Sequence, residues 1–224
     1  MLPYPNYPSY MINSSSFSKN QLQRYPVYLK FLRSLLNQGM VFVSSPLIAK
    51  ELGYSEEQIR KDLHAISTCN GRPKRGRRID ELIDSLEHFL GYTGSLKAFL
   101  VGAGNLGQAI YKYGGFESMG LEVVAAFDND PNKAWLPIGD GAIFPLSELP
   151  KKIREMSPEV AIVTVPGSSA QGVIDKLVHL GFKAIWNFSA THVNVPKDVT
   201  IENVNLASSL AVLVHHYEEN KRKH

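Results

Sequence analysis

The sequence LKAFLVGAGNLG, residues 96–107, joins an apolar segment to a glycine-rich turn. Its apolar part predicts a buried strand, and residues 105–113 predict the helix that follows. A strand that runs through glycines into a helix is the beginning of a βαβ unit. The sequence therefore predicts that this part of the chain has an α/β fold.

The three glycines of this turn have the Gly-x-Gly-x-x-Gly spacing of dinucleotide sites. Gly102 allows the sharp turn, Gly104 lets a pyrophosphate approach the backbone, and Gly107 lets the helix pack against the strand. The N–H groups at the helix start, around Asn105 and Leu106, would face the phosphates. Two alternatives stay open: a glycine turn that binds nothing, and one that binds another nucleotide such as coenzyme A.

Asp128 ends the next predicted strand, residues 121–128. A carboxylate at this position accepts hydrogen bonds from the ribose hydroxyls and repels a 2′-phosphate. The pattern therefore favours NAD over NADP as the ligand.

Strands and helices alternate through the rest of the chain. The predicted strands are residues 160–166, 183–188 and 199–204, and the predicted helices are residues 147–156, 168–180 and 206–222. The strands are almost continuously apolar and alternate with helices, which predicts a doubly wound parallel sheet of the Rossmann type. The turns at residues 165–169 and 187–189 either border the ligand crevice or are ordinary ends of strands.

A helix-turn-helix precedes this sheet. Residues 46–53 and 56–67 predict two short helices joined by a Gly-Tyr turn. The first begins with the cap and proline of Ser45-Pro46, and Ser55 with Gln58 fits a capping box for the second. Before them a helix is predicted from Ser18, with Pro26 as a second possible start of its regular part.

A basic segment begins within the second of these helices and continues past its end. Residues 60–78 hold seven Lys and Arg against one acid. Arg and Lys donate to guanine, Gln donates to adenine, and cations on a wing contact phosphates or a narrow minor groove. The predicted DNA-contacting residues are Ser45, Gln58, Arg60, Lys61 and His64, with Arg72, Lys74, Arg75, Arg77 and Arg78 on the wing. The alternative is a solvated basic face on an accessory domain.

Composition excludes several classes of protein. The chain has 224 residues and one cysteine, Cys69, so it has no intrachain disulfide and no cysteine-built zinc site. No apolar run reaches the roughly 18 residues that cross a bilayer, and MLPYPNYPSY is no secretory signal. We expect a cytoplasmic protein without a membrane partner or a metal. Residues 1–17, rich in Pro and Tyr, predict a disordered tail.

An enzyme is the main alternative to a binding protein. An NAD-dependent oxidoreductase needs a proton donor or acceptor beside the reacting carbonyl, usually His, Lys or Tyr. Of the seven histidines only His192 lies just past a predicted strand end, and a surface role is the simpler interpretation. We therefore expect no catalysis, and keep an oxidoreductase with a helical accessory domain as the alternative.

Several stretches together resemble the Rex family of redox-sensing transcriptional repressors. They include SPLIAKELGYSEEQIRKDL (residues 45–63), VGAGNLGQAI (101–110), AAFDNDP (125–131) and VPKDVTIENVNL (195–206). The likeness runs from about residue 20 to residue 220. A winged helix followed by an NAD-type sheet is more specific than either motif alone.

The resemblance implies a homodimer that binds palindromic operators of fermentation and anaerobic respiration genes. It implies a winged-helix domain at residues 18–92, a Rossmann domain at residues 95–205 and a helix at residues 206–224 that is exchanged between subunits. NADH would release the DNA, whereas NAD⁺ would permit binding. A sensor of another nucleotide, and a DNA-binding dimer with a vestigial nucleotide site, remain alternatives.

The resemblance also implies roles for single residues. It assigns Gly102, Gly104, Gly107 and Asp128 to the adenosine and pyrophosphate half, with Pro166 and Phe188 near the nicotinamide. It assigns Arg24, Tyr113 and Asn205 to the switch or interface. Asn205 stands where the family commonly has an Asp that pairs with an arginine of the first helix, so an Arg24–Asn205 bond would lack the ionic part. The wing, GRPKRGRR at residues 71–78, is longer than usual and has no tyrosine.

Overall fold

The structure is a computed structural model that describes residues 17–66 and 76–222. The chain divides into two compact units, with the boundary between Thr93 and Gly94. Each unit has buried clusters of its own. Within the described residues no helix is long and apolar enough to cross a membrane.

The N-terminal unit packs helices around a small antiparallel pair of strands. Its elements are α1 (Lys19–Asn37), β1 (Phe42–Val43), α2 (Ser45–Leu52), α3 (Glu56–Ile66), β2 (Arg77–Arg78) and α4 (Ile79–Leu90). Apolar residues three and four apart on α1, α3 and α4 face one another and form the core. Gly53 adopts a left-handed conformation (φ 72°) at the end of α2, which allows the tight turn into α3.

One predicted helix start is confirmed and another differs by one residue. The first helix begins at Lys19, directly after Ser18 as predicted, and not at Pro26, because the Ser18 hydroxyl caps it by accepting a 3.2 Å hydrogen bond from the Gln21 N–H. Pro26 has no N–H, so α1 lacks one backbone hydrogen bond at this position. The preceding residue, Tyr25, is fully buried in the core, and its packing offsets the loss. In α2 the cap is Ser44 and not Ser45, and Pro46 still lies in the first turn, where no N–H is needed.

The C-terminal unit is a seven-stranded sheet with helices. Its strands are β3 (Leu96–Val101), β4 (Leu121–Asp128), β5 (Pro137–Ile138), β6 (Gly141–Pro145), β7 (Val160–Val163), β8 (Ala184–Asn187) and β9 (Thr200–Asn203). Its helices are α5 (Asn105–Tyr111), α6 (Leu149–Met156), α7 (Gly167–His179) and α8 (Leu206–Arg222). The order is β5-β6-β4-β3-β7-β8-β9. Without β5 this is the doubly wound order of dinucleotide-binding sheets.

The sequence predicts a parallel sheet, and the observed sheet differs from this prediction at one edge. The edge strand β5 pairs antiparallel with β6, and neither strand is predicted. Both are short and are separated by Gly139 and Asp140, so they carry no run long enough to show a period. The predicted strand at residues 160–166 is also shorter, because it ends at Val163 and Pro166 precedes α7.

Candidate functional site

A cavity of about 560 Å³ opens at the carboxyl ends of β3, β4 and β7. In an open α/β sheet this edge binds ligands where the strand order reverses, here between β3 and β7. The structure brings most of the predicted ligand residues to its wall: Gly102, Gly104, Asn105, Leu106, Asp128, Pro166 and Phe188. Gly107 is not part of this lining, because it is buried beneath the turn.

The glycines of the turn have different surroundings. Gly102 has φ 106°, and a Cβ there would lie 2.8 Å from the backbone carbon of Thr164. A Cβ on Gly107 would lie 1.9 Å from the Gly102 carbonyl oxygen. A Cβ on Gly104 would meet nothing within 4 Å, so its backbone is open to a ligand. Gly102 and Gly107 therefore shape the turn, and Gly104 keeps it accessible.

Thr164 holds this turn in place, although its position in the sequence does not predict this role. Its hydroxyl donates a 2.6 Å hydrogen bond to the Gly102 carbonyl oxygen across the sheet. The contact spans 62 positions in the chain. A threonine after an apolar strand is too common a feature to signal such a role.

Asp128 is buried and already accepts three hydrogen bonds. Its Oδ2 accepts from the Ala103 N–H at 2.8 Å and from Lys133 Nζ at 2.9 Å, and its Oδ1 accepts from the Asp130 N–H at 2.9 Å. Burial raises the pKa of Asp128, but these bonds outweigh it and hold that pKa below its ordinary value. The carboxylate is therefore ionised at neutral pH.

Lys133 also lines the cavity, although no motif in the sequence marks it. A carboxylate has about four acceptor positions, and three hydrogen bonds already occupy those of Asp128. A ribose that donates from both of its hydroxyls therefore needs one of the occupied positions. The Lys133 side chain is one-third exposed and flexible, whereas the two N–H donors belong to the backbone. Lys133 is thus the partner that can withdraw when a ribose binds.

The other end of the cavity is largely apolar. Pro166, Val173 and Phe188 line it, and the Phe188 ring packs on Trp186 at 4.8 Å between centroids. Below them Asn187 is buried and accepts from the Ser189 N–H and hydroxyl at 3.0 and 2.7 Å. These bonds fix the turn after β8, which therefore borders the crevice.

The described wall of this cavity contains no histidine. His192 is exposed and lines a separate cavity of about 160 Å³ with Asn187, Asn203 and Asn205. Among the residues that the structure describes, no group of His, Cys, Asp and Glu is arranged to hold a metal.

In the N-terminal unit, α3 presents the predicted recognition face. Ile59 and Leu63 are buried in the core, whereas Arg60, Lys61 and His64 are exposed. Gln58 on α3 and Ser45 on α2 are half-buried. A face of this kind is free to enter a major groove.

Asp62 faces the opposite way and anchors α3 to α1. The Arg24 guanidinium donates to both of its oxygens, at 2.7 and 2.9 Å, and the Tyr28 hydroxyl donates to Oδ2 at 2.8 Å. Arg24 and Asp62 are both largely buried. Burial also raises the pKa of neighbouring Tyr25 to about 12. The recognition face is therefore fixed by a charged network on its inner side.

The predicted switch residues all have contacts within their own units. Arg24 binds Asp62, and Asn205 caps α8 by accepting a 3.2 Å hydrogen bond from the Ser208 N–H. The exposed Tyr113 ring packs on Phe116 at 4.8 Å between centroids. The Arg24–Asn205 pairing stays a prediction.

Part of the predicted wing is described. Arg77 donates to the Leu63 carbonyl oxygen, and Arg78 pairs with Asp80 and Glu81. Residues 1–16, Cys69, Arg72, Lys74 and Arg75 lie outside the described residues.

Comparison with known proteins decides the family. A model named "Putative DNA-binding protein N-terminus" matches residues 17–64, and one named "CoA binding domain" matches residues 93–191. A redox-sensing transcriptional repressor Rex from Bacteroides thetaiotaomicron is 38% identical over 95% of this chain and 96% of its own. The chain belongs to the Rex family. The resemblance and the fold class predicted from sequence are thus confirmed.

Solved Rex structures agree with this. RSP, a Rex-family repressor, has been solved in complex with β-NAD⁺ and operator DNA, and in complex with β-NADH. The first is 33% identical, covers 92% of this chain and 94% of its own, and has a TM-score of 0.84. The second is 32% identical, with 92% and 96% coverage and a TM-score of 0.82.

Proposed function

We propose that this Rex-family chain is a transcriptional repressor that binds palindromic operator DNA and releases it when NADH fills the crevice. One observation carries the proposal: a single chain joins a helix-turn-helix with an exposed recognition helix to a dinucleotide-type cavity. RSP, its structural relative, forms complexes with NAD⁺ and operator DNA and with NADH. The two binding activities are proposed to be coupled in this chain.

The residues of the cavity suit a nicotinamide dinucleotide. Gly104 leaves room for the pyrophosphate at the start of α5, where backbone N–H groups attract anions. Asp128 is ionised and accepts from the ribose hydroxyls once Lys133 withdraws. Pro166 and Phe188 would border the nicotinamide, the part of the ligand that reports the redox state of the cell.

The apolar wall gives a physical reason for discrimination between the two redox forms. The reduced nicotinamide ring is neutral, whereas the oxidised ring is cationic, and a cation loses solvation energy in an apolar pocket. NADH then favours the conformation in which the ring is enclosed. A ligand shifts the equilibrium only by its difference in affinity for the two conformations, so this preference is what releases the operator.

The proposed assembly is a homodimer, because a palindrome needs two recognition helices related by two-fold symmetry. Helix α8 supplies an apolar surface for it: Leu206, Leu210, Leu213 and Tyr217 are each more than half exposed. We assign the domains as residues 18–92, 95–205 and 206–224, the last being exchanged between the subunits.

The protein is proposed to act in the cytoplasm and to catalyse no reaction. Its relatives carry the name of transcriptional repressors. A second candidate, a sensor of coenzyme A, is favoured by the family model that matches residues 93–191. The two candidates share the anion-binding turn and differ in the ligand that releases DNA.

The test is operator binding by the full chain. An operator is first selected from a randomised duplex library in the presence of NAD⁺, and its binding is then titrated with NADH, NAD⁺ and coenzyme A separately. We expect NADH to weaken binding at least about tenfold, or 1.4 kcal/mol, and NAD⁺ to leave it nearly unchanged. Equal effects of NADH and NAD⁺ contradict redox sensing, and release by coenzyme A alone supports the second candidate.

A further inference from the structure

The recognition helix carries two carboxylates beside its two cations. Glu56 and Glu57 form its first turn, and both side chains are exposed. Arg60 pairs with Glu56, and Lys61 Nζ lies 2.7 Å from Glu57 Oε1. Both pairs join residues four apart, so they lie along the solvent side of α3. Asp62, the other acid of α3, is buried against Arg24 and contributes nothing to this surface.

The described cations of the wing also have partners within the unit. Arg78 pairs with Asp80 and Glu81, and Arg77 donates to the Leu63 carbonyl oxygen. Each described Arg and Lys of the predicted DNA-binding set therefore has a partner within the protein. Binding to DNA must exchange these contacts for phosphates or base edges.

Glu56 and Glu57 lie at the N-terminal end of the recognition helix, whereas Asp80 and Glu81, the partners of Arg78, lie on α4. The N-terminal residues of a recognition helix approach the base edges and the adjacent phosphates. A carboxylate there repels every phosphate, whatever the sequence, while its cation is held back from the DNA backbone. Sequence-independent binding is almost wholly electrostatic, so it loses most from these charges.

Resting on the function proposed above, we propose that Glu56 and Glu57 are specificity-determining residues that suppress binding to non-operator DNA. Exposed ion pairs are weak, so a base edge that offers Arg60 or Lys61 well-placed acceptors can displace them. A random sequence rarely places such acceptors within reach of both cations, so its binding depends almost wholly on phosphates. The glutamates thus lower the affinity for random DNA more than the affinity for the operator.

The test compares the wild-type chain with the E56Q/E57Q double variant. Glutamine keeps the size of the side chain and removes the charge. The probes are the operator selected by the wild-type chain and a shuffled duplex of about 30 base pairs, long enough for half-sites one helical turn apart. Binding is measured with NAD⁺ at about 0.1 M and about 0.5 M salt, because screening separates electrostatic effects from the rest.

We expect the double variant to bind the shuffled duplex about tenfold more tightly at low salt, and to lose most of that gain at high salt. Operator affinity should rise less, so the ratio of the two affinities falls. The matched control is E148Q/E155Q, which also removes two carboxylates from ion pairs, here with Lys151 and Lys152 around α6. It should leave both affinities within about twofold of wild type.

Two results overturn the inference. One is an unchanged affinity for the shuffled duplex, and the other is a loss of operator affinity alone, which would make the glutamates direct readers of bases. Circular dichroism of each variant establishes that it is folded. Failure of the wild-type chain to select any sequence would instead contradict the proposed repressor function.

Discussion

Gly104, in the turn after β3, and Gly107, in the first turn of α5, have opposite requirements. A Cβ on Gly107 would overlap the Gly102 carbonyl oxygen, which Thr164 holds in place. A Cβ on Gly104 would touch nothing and would point into free space at the cavity wall. The same small substitution therefore tests packing at one position and access for a ligand at the other.

We predict that Gly104→Ala keeps the fold and lowers NADH affinity at least about tenfold, because its methyl takes the place of the approaching pyrophosphate. Gly107→Ala should destabilise the protein by about 3 kcal/mol or more, since a backbone atom must move. Thermal unfolding and NADH fluorescence titration distinguish the two effects. Gly172→Ala on α7, also without close contacts, is the control and should preserve NADH binding. Normal NADH binding by Gly104→Ala would contradict the proposed pyrophosphate position.

The Arg24–Asp62 pair is the main charged contact inside the N-terminal unit. Removal of one partner leaves the other charge buried, which costs far more than the loss of an exposed pair. We predict that Arg24→Met lowers the free energy of unfolding by about 3 kcal/mol or more. Lys183→Met, which breaks the exposed pair with Asp198, should cost less than about 1 kcal/mol. Urea unfolding of both full-length variants measures the difference, and equal losses would show that burial is irrelevant here.

Among the elements, α8 is the helix whose apolar side chains are most exposed. From Leu206 to Arg222 every residue is exposed, including five large apolar side chains at helical spacing. Among the described residues of its own unit such a helix has no packing partner, and contiguous apolar surface of this kind marks a protein interface. A second copy of the chain is the partner that a palindromic site requires.

We predict that Leu210→Glu with Leu213→Glu converts the proposed dimer to a monomer and weakens operator binding at least about a hundredfold, because both half-sites must be engaged together. Sedimentation equilibrium measures the oligomeric state. Ser208→Glu with Ala211→Glu adds the same two charges to the opposite side of α8 and should leave the dimer intact. A dimer that survives the leucine changes would place the interface elsewhere.

The molecule as a whole is expected to couple its two units through binding energy. Thermodynamic linkage requires that the factor by which NADH weakens operator binding equals the factor by which the operator weakens NADH binding. We predict the same factor, within about threefold, from calorimetric titrations in the two orders. NAD⁺ serves as the control and should give a factor close to one. Unequal NADH factors would show that a further species, such as a change of oligomeric state, takes part.

Features that depend on neighbours along the chain were predictable from the residues alone. Examples are the glycine spacing at residues 102–107, the apolar strands and the apolar stripe of α8. Each of these patterns involves residues that lie close together in the sequence. Each reports a local conformation, because hydrophobic period and glycine geometry act over short separations. They were sufficient to predict five of the seven strands of the sheet, the recognition helix and seven residues of the cavity wall.

The partners of the polar groups emerged only from the folded chain. Arg24 meets Asp62 across 38 positions, and Thr164 meets Gly102 across 62. A side chain with several possible acceptors takes the one that packing brings within about 3 Å, and packing is a property of the whole core. The same holds for β5, whose two residues become a strand only because β6 lies beside them. Local pattern thus specified the elements, and three-dimensional proximity chose their contacts.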